Sequence, residues 1–145
     1  MLSIIGVMDW ILIHVALLSI LVGACGLGSQ WKFKRFMAYS SISNLGFILL
    51  AVTAGSHQYT SLLFYTLVYC VANLVVFAIL IGASTHPSAA TLTMGDMAGL
   101  YKLNPAAGLA LSLALFSLAG IPPLAGFYSK LLVILFSLLN QGYAY

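Results

Sequence analysis

Between Asn104 and Asn140 the chain carries a single charged side chain, Lys130, at the end of Ser117-Leu118-Ala119-Gly120-Ile121-Pro122-Pro123-Leu124-Ala125-Gly126-Phe127-Tyr128-Ser129-Lys130. A lone ammonium with no acidic neighbour in an apolar run has two uses. It can exchange a proton inside a membrane, or it can sit near a helix end and snorkel its amine to the headgroups. The apolar residues continue from Leu131 to Leu139, so Lys130 lies about ten residues from the end of the run, roughly 15 Å by the helical rise, which places it near the bilayer midplane. Just before it the helix is interrupted: Pro122 and Pro123 remove two backbone donors, and Gly120 and Gly126 open conformations closed to other residues. Irregular backbone at membrane depth is tolerated only where it is buried in protein or lines a wet cavity, so this segment must face other protein.

A second polar group lies at Ser40, Ser43 and Asn44, which with Phe47 share one helical face by i, i+3, i+4, i+7 spacing. Such a stripe in lipid needs partners on another helix. It lines a hydrated path or it packs helices through hydrogen bonds, and the spacing allows both. His14 likewise reads as a proton relay or as a histidine bonded to a neighbouring helix. Ser19, Gly23 and Gly26 form a small face for close helix packing. Cys25 and Cys70 share no metal or redox spacing and read as small packing residues.

The elements that position these residues follow from composition. With 63% hydrophobic and 5% charged residues and a mean hydropathy of +1.12, the chain is an all-α membrane protein. About four transmembrane segments are expected within a single transmembrane domain, 1–145: spans at about 10–28, 36–54, 59–82 and 104–140, the last a broken helix with its break at 120–126. Asp9 and Trp10 mark the edge of the first span, Gly55-Ser56-His57-Gln58 is a turn, and 83–103 reads as a loop with Pro87, Asp96 and Lys102. Asn104-Pro105 opens the last segment as an N-cap followed by proline at the first helical position. Three of the five basic residues, Lys32, Lys34 and Arg35, fall in one short loop. With four spans they lie on the same side as Lys102, the cytoplasmic or matrix side by the positive-inside rule. No cleavable leader is apparent, and the few basic residues beside spans exclude a nucleic-acid partner. Lys130 has no acid of its own at membrane depth, so other membrane helices and lipids are the expected partners.

Lys34-Arg35-Phe36-Met37-Ala38-Tyr39-Ser40-Ser41-Ile42-Ser43-Asn44-Leu45-Gly46 resembles the signature of the antiporter-like membrane subunits of respiratory NADH:quinone oxidoreductase, complex I. Gly95-Asp96-Met97-Ala98-Gly99-Leu100, Asn104-Pro105 and the Ser117 to Lys130 stretch are similar more narrowly to its subunit 2; subunit 5 shares the Gly-Phe-Tyr-Ser-Lys ending. The resemblance implies part of an antiporter-like helix bundle in a proton-pumping membrane arm. Lys130 falls on the family's lysine in a discontinuous helix, and Gly120, Pro122, Pro123 and Gly126 fall on that helix's interruption. Lys34 and Arg35 match a loop-to-helix edge and take no relay role. Asn44 stands where the family commonly has histidine, leaving a hydrogen-bonding role without titration.

The resemblance also implies what is elsewhere. The region carrying the family's glutamate–lysine pair and another central lysine is missing, which points to a C-terminal-half fragment, a split subunit whose remaining part is a separate chain docked alongside, or a partial chain. NADH, FMN, iron–sulfur clusters and quinone belong to other subunits: this sequence has no Gly-rich nucleotide loop, cysteine cluster or flavin motif, so no cofactor or metal is expected in it. The apparent split of so hydrophobic a gene favours the mitochondrial inner membrane, with the basic loops on the matrix side. Desolvation favours the neutral form of Lys130 and an approaching negative charge restores the ammonium, so charge moving along the membrane arm would drive proton uptake and release. Two other readings remain: a fragment of a cation/proton antiporter using Lys130 for ion exchange, and a structural or assembly piece in which Lys130 is paired and silent.

Overall fold

The computed structural model describes residues 2–53, 59–84 and 93–142, so the expected turn at 55–58 and Pro87 lie outside the described residues. Six helices follow in order: α1 (Leu2–Leu27), α2 (Phe33–Thr53), α3 (Tyr59–Ser84), α4 (Met94–Leu103), α5 (Pro105–Ala119) and α6 (Ala125–Gly142). Among the described residues there is no strand, and one isolated bridge joins Lys32 to Thr93. Three helices are long and apolar enough to cross a membrane, α1 over Met8–Leu27, all of α2, and α3 over Tyr59–Ala83, with Pro105–Ala119 and Ala125–Leu139 as shorter apolar helices. The fold is thus that of an all-α membrane protein.

Several boundaries differ from the sequence reading, each for a local reason. The α1 helix starts at Leu2, ahead of the apolar span Met8–Leu27, so Asp9 lies inside a helix while still at the edge of that span. The basic residues Lys34 and Arg35 belong to the first turn of α2 and not to the preceding loop. Within the expected loop of 83–103, ten residues fold as α4. They do so because Thr93 and Asp96 form a capping box: the Thr93 hydroxyl accepts from the Asp96 N–H (3.4 Å) while the Thr93 N–H donates to Asp96 Oδ2 (2.9 Å). These bonds, from the Thr93 backbone and then from its hydroxyl, hold the exposed Asp96 carboxyl below the usual carboxylate range. The N–H of Met94 donates to the Trp31 carbonyl (3.1 Å), tying α4 to the α1–α2 loop at the end of the bundle that bears Lys32, Lys34 and Arg35.

The interior is a polar layer between two apolar clusters. At the α4 end, Phe33 and Met37 of α2 pack with Ala72, Val76 and Leu80 of α3, Met97 of α4 and Leu111, Ala114 and Leu118 of α5. At the other end Ala51, Tyr65 and Val133 form a smaller cluster. Met37, Asn44 and Ala51 recur every seven residues on the buried face of α2, so Asn44 falls between the clusters. The outer surface is apolar: Ile11, Val15, Leu18 and Val22 are exposed on α1, as are Leu63, Leu67 and Leu74 on α3. Cys25 and Cys70 are exposed too, on the outer face of the bundle.

Small residues let α1 and α2 lie close along their length. A side-chain carbon on Gly23 would meet the backbone of Ser43 at 2.6 Å, one on Gly26 would overlap the Tyr39 ring, and one on Gly46 would meet Ser19 Oγ at 2.5 Å. The small face that Ser19, Gly23 and Gly26 define by their spacing is therefore the α1–α2 seam.

Candidate functional site

The site is built around the gap between α5 and α6. The α5 helix opens on Asn104, whose Oδ1 accepts from the Ala107 N–H (3.3 Å), with Pro105 at its first position. It ends at Ala119 because Gly120 turns left-handed, φ 83°. Its last four carbonyls need donors from outside the helix ladder. Gly120 N–H reaches Ser117 O (3.1 Å) and Ile121 N–H reaches Phe116 O (3.1 Å), a Schellman closure that provides for two of the four. Pro122 and Pro123 have no N–H to offer the others. Lys130 supplies what is missing: its Nζ donates to Leu118 O (2.6 Å) and lies 3.5 Å from Ala119 O. A lysine six residues into α6 can do this because helical side chains lean back toward their N-terminus. The ammonium meets the negative end of α5, so its amine turns into the chain and does not snorkel along α6.

The break itself is shorter than the expected 120–126. Ala125 and Gly126 already belong to α6, leaving 120–124 between the helices, with the Pro122–Pro123 peptide cis. Gly120 needs its conformational freedom, but Gly126 is helical and serves another purpose. A side chain there would collide with the Ser117 carbonyl, so glycine allows the first turn of α6 to approach the last turn of α5.

The polar face of α2 is brought to the same place. Asn44 is 4% exposed; its Nδ2 donates to Ser40 O (2.9 Å) and lies 3.3 Å from Ser40 Oγ, while its Oδ1 accepts from the Tyr65 hydroxyl of α3 (2.9 Å). Phe47, one turn further, lies beneath the Lys130 amine with 5.2 Å between Nζ and the ring centroid, and tilts against the Tyr65 ring at 6.2 Å. Ser43 is pressed against Gly23. One side of the serine–asparagine stripe packs on α1, and the other opens on a cleft of about 230 Å³ lined by Ser40, Ser43, Asn44, Leu118 and Lys130. On the far side of Asn44 and Lys130, Tyr65, Ser117 and Ser129 line a pocket of about 10 Å³, near the least a water needs.

Lys130, Gly120, Gly126, Ser40, Ser43 and Asn44 thus converge, while Pro122 and Pro123 are exposed on the outer side of the break. His14 does not join them: its Nδ1 is 2.8 Å from the carbonyl of Trp10 in its own helix and it is exposed. The sequence reading missed Tyr65, and it placed Phe47 on the polar face without a use for its ring. Nothing in an aromatic-rich apolar span distinguishes a tyrosine that bonds 21 residues away from one that faces lipid.

A discontinuous helix pair whose broken backbone is capped by a lysine, in a bundle of apolar helices, is an arrangement shared with membrane transporters built on broken helices. The chain belongs to the NADH:quinone oxidoreductase/Mrp antiporter transmembrane family, whose match runs over residues 1–145. It is 48% identical over 115 residues to NADH-quinone oxidoreductase subunit N of Phocaeicola vulgatus, covering 79% of this chain and 24% of that protein. NADH-ubiquinone oxidoreductase chain 2 of Rhizopus oryzae is 38% identical over 132 residues, 86% of this chain and 25% of its own length. Among solved structures, a chain of respiratory complex I from Thermus thermophilus with bound aureothin superposes with a TM-score of 0.74 at 34% identity, covering 89% of this chain and 29% of that one. The chain therefore spans about a quarter of the length of the curated relatives it matches.

Proposed function

We propose that this chain works in the membrane arm of a proton-translocating NADH:quinone oxidoreductase, as the part of subunit 2 that contributes Lys130 to a transmembrane proton pathway. The observation that carries the reading is the Lys130 amine seated on the open carbonyls of α5, at the edge of the cleft holding Ser40, Ser43 and Asn44. A lysine at this depth is costly unless its charge has a use, and no acid shares the site among the described residues. The carbonyls of the break stabilise the ammonium and desolvation favours the neutral amine. Charge arriving on a neighbouring subunit tips the balance, so Lys130 takes a proton and later returns it, while Gly120 and the break hold the amine in register.

Electron transfer from NADH through FMN and iron–sulfur clusters to quinone takes place in other subunits, and this chain binds none of these groups. Its partners are the other membrane subunits, a separate chain with the rest of subunit 2, and lipid. The Rhizopus relative is an NADH-ubiquinone oxidoreductase chain, which supports the mitochondrial inner membrane as the location. The tie between the Lys32 loop and α4, whose last turn holds Lys102, supports placing the basic segments together on the matrix side.

Replacing Lys130 by Met tests the reading. In assembled complexes, NADH-driven proton translocation and coupled turnover fall while the chain stays inserted; full pumping by assembled Lys130→Met complexes contradicts it. The family also includes Mrp antiporters, which favours one other reading, cation/proton exchange without electron transfer. Sodium–proton exchange by this chain's complex in preparations free of NADH oxidation would support that alternative.

A further inference from the structure

We propose that Phe47 is the positioning residue for Lys130: its ring face stands where a carboxylate would otherwise balance the ammonium, and it sets the pH range over which the site keeps its proton. The inference rests on the reading of Lys130 as the exchanging group. The amine lies 5.2 Å from the ring centroid, inside the roughly 6 Å reach of a cation–π contact. Its other neighbours are neutral as well, the Leu118 carbonyl at 2.6 Å and the Ala119 carbonyl at 3.5 Å. Two carbonyls on one side and an aromatic face on another make a cation site with no fixed negative charge among the described residues.

The ring is held from two helices. Phe47 projects from α2 one turn beyond Asn44 and tilts at 39° against Tyr65 of α3, whose hydroxyl is fixed by Asn44 Oδ1 at 2.9 Å. Among the described residues, the groups around Lys130 that titrate are the Tyr65 and Tyr69 hydroxyls of α3; α2 offers Asn44, Ser40 and Ser43, α5 and α6 offer serines and backbone carbonyls, and α1 offers Leu27, none of them charged. Asp96, one of the chain's two acids, is engaged by Thr93 at the start of α4. With so few charges nearby, a cation–π contact in a desolvated site is large enough to move the proton equilibrium by about one pH unit.

The test measures protons translocated per NADH against pH in assembled native complexes carrying Phe47→Met, Phe47→Leu or Phe47→Tyr, with Lys130→Met alongside. The ring weakens loss of the proton, so without it the ratio should fall off on the alkaline side about one pH unit earlier in the Met and Leu variants, while the Tyr variant follows the native profile. Met fills nearly the volume of Phe without its π face and carries the test should the Leu complex assemble poorly. Native profiles in the ring-less variants overturn the proposal, as does an equal shift in all three, which would mark packing in place of the ring. Normal pumping by Lys130→Met instead removes the reading beneath it, whereas impaired Lys130→Met with native Phe47→Met removes this inference alone.

Discussion

Lys130 is stabilised by groups that sequence inspection does not mark as partners: the two carbonyls left open at the end of α5 and an aromatic face. Beside it, the Tyr65–Asn44 pair decides how the Asn44 amide is turned, because an oxygen that accepts from tyrosine leaves the nitrogen to face Ser40. Tyr65→Phe should therefore leave a buried acceptor without its donor and lower stability by about 1–3 kcal/mol, read as earlier thermal loss of the assembled complex. Adding Asn44→Ala to that variant should cost less than Asn44→Ala does in the native chain, since the oxygen that loses its partner is then gone; strictly additive costs would mean the pair is not coupled. The lysine and the serine–asparagine face were legible in the sequence because charge and hydroxyls are rare in so apolar a chain. Phe47 and Tyr65 were not, since their roles depend on which helix lies opposite.

Among the elements, the break could be read in advance and its economy could not. Gly-Ile-Pro-Pro announces an interruption, but only the positions of the backbone reveal that Gly120 and Ile121 close two carbonyls and leave two for Lys130. Gly126 was legible as special, yet for the wrong reason: it is needed for the approach of α6 to Ser117 and not for an unusual φ. The α4 helix was overlooked although Thr93-Met94-Gly95-Asp96 has the spacing of a capping box, because the fading hydropathy around it reads as loop. The glycine face of α1, in contrast, follows directly from periodicity, and the glycine that α2 presents to the same seam makes a prediction. Gly46→Leu places its side chain against Ser19, Ile20 and the Ala16 carbonyl, so it should push α1 off α2 at a cost of about 1–3 kcal/mol and reduce assembly. Gly99→Ala, which meets nothing within 4 Å, is the control; equal assembly of both variants would show that the seam tolerates a side chain.

At the scale of the molecule, the arrangement is inside out relative to a soluble protein: large apolar residues cover the outside and Asn44, Ser61, Ser129 and Ser137 are buried. Only 11% of the first span is buried within the chain, so α1 offers most of its surface to lipid or to other helices. That openness and the match to a quarter of the relatives' length agree with a chain that works inside a larger assembly. The measurement that tests this most directly is gentle detergent extraction of native membranes, native-gel separation, and mass spectrometry for this chain across lanes stained in parallel for NADH dehydrogenase activity. The account predicts that the chain migrates with the stained high-mass band, together with peptides from a chain carrying the rest of subunit 2. Migration apart from that band, with no NADH dehydrogenase activity alongside, would contradict it.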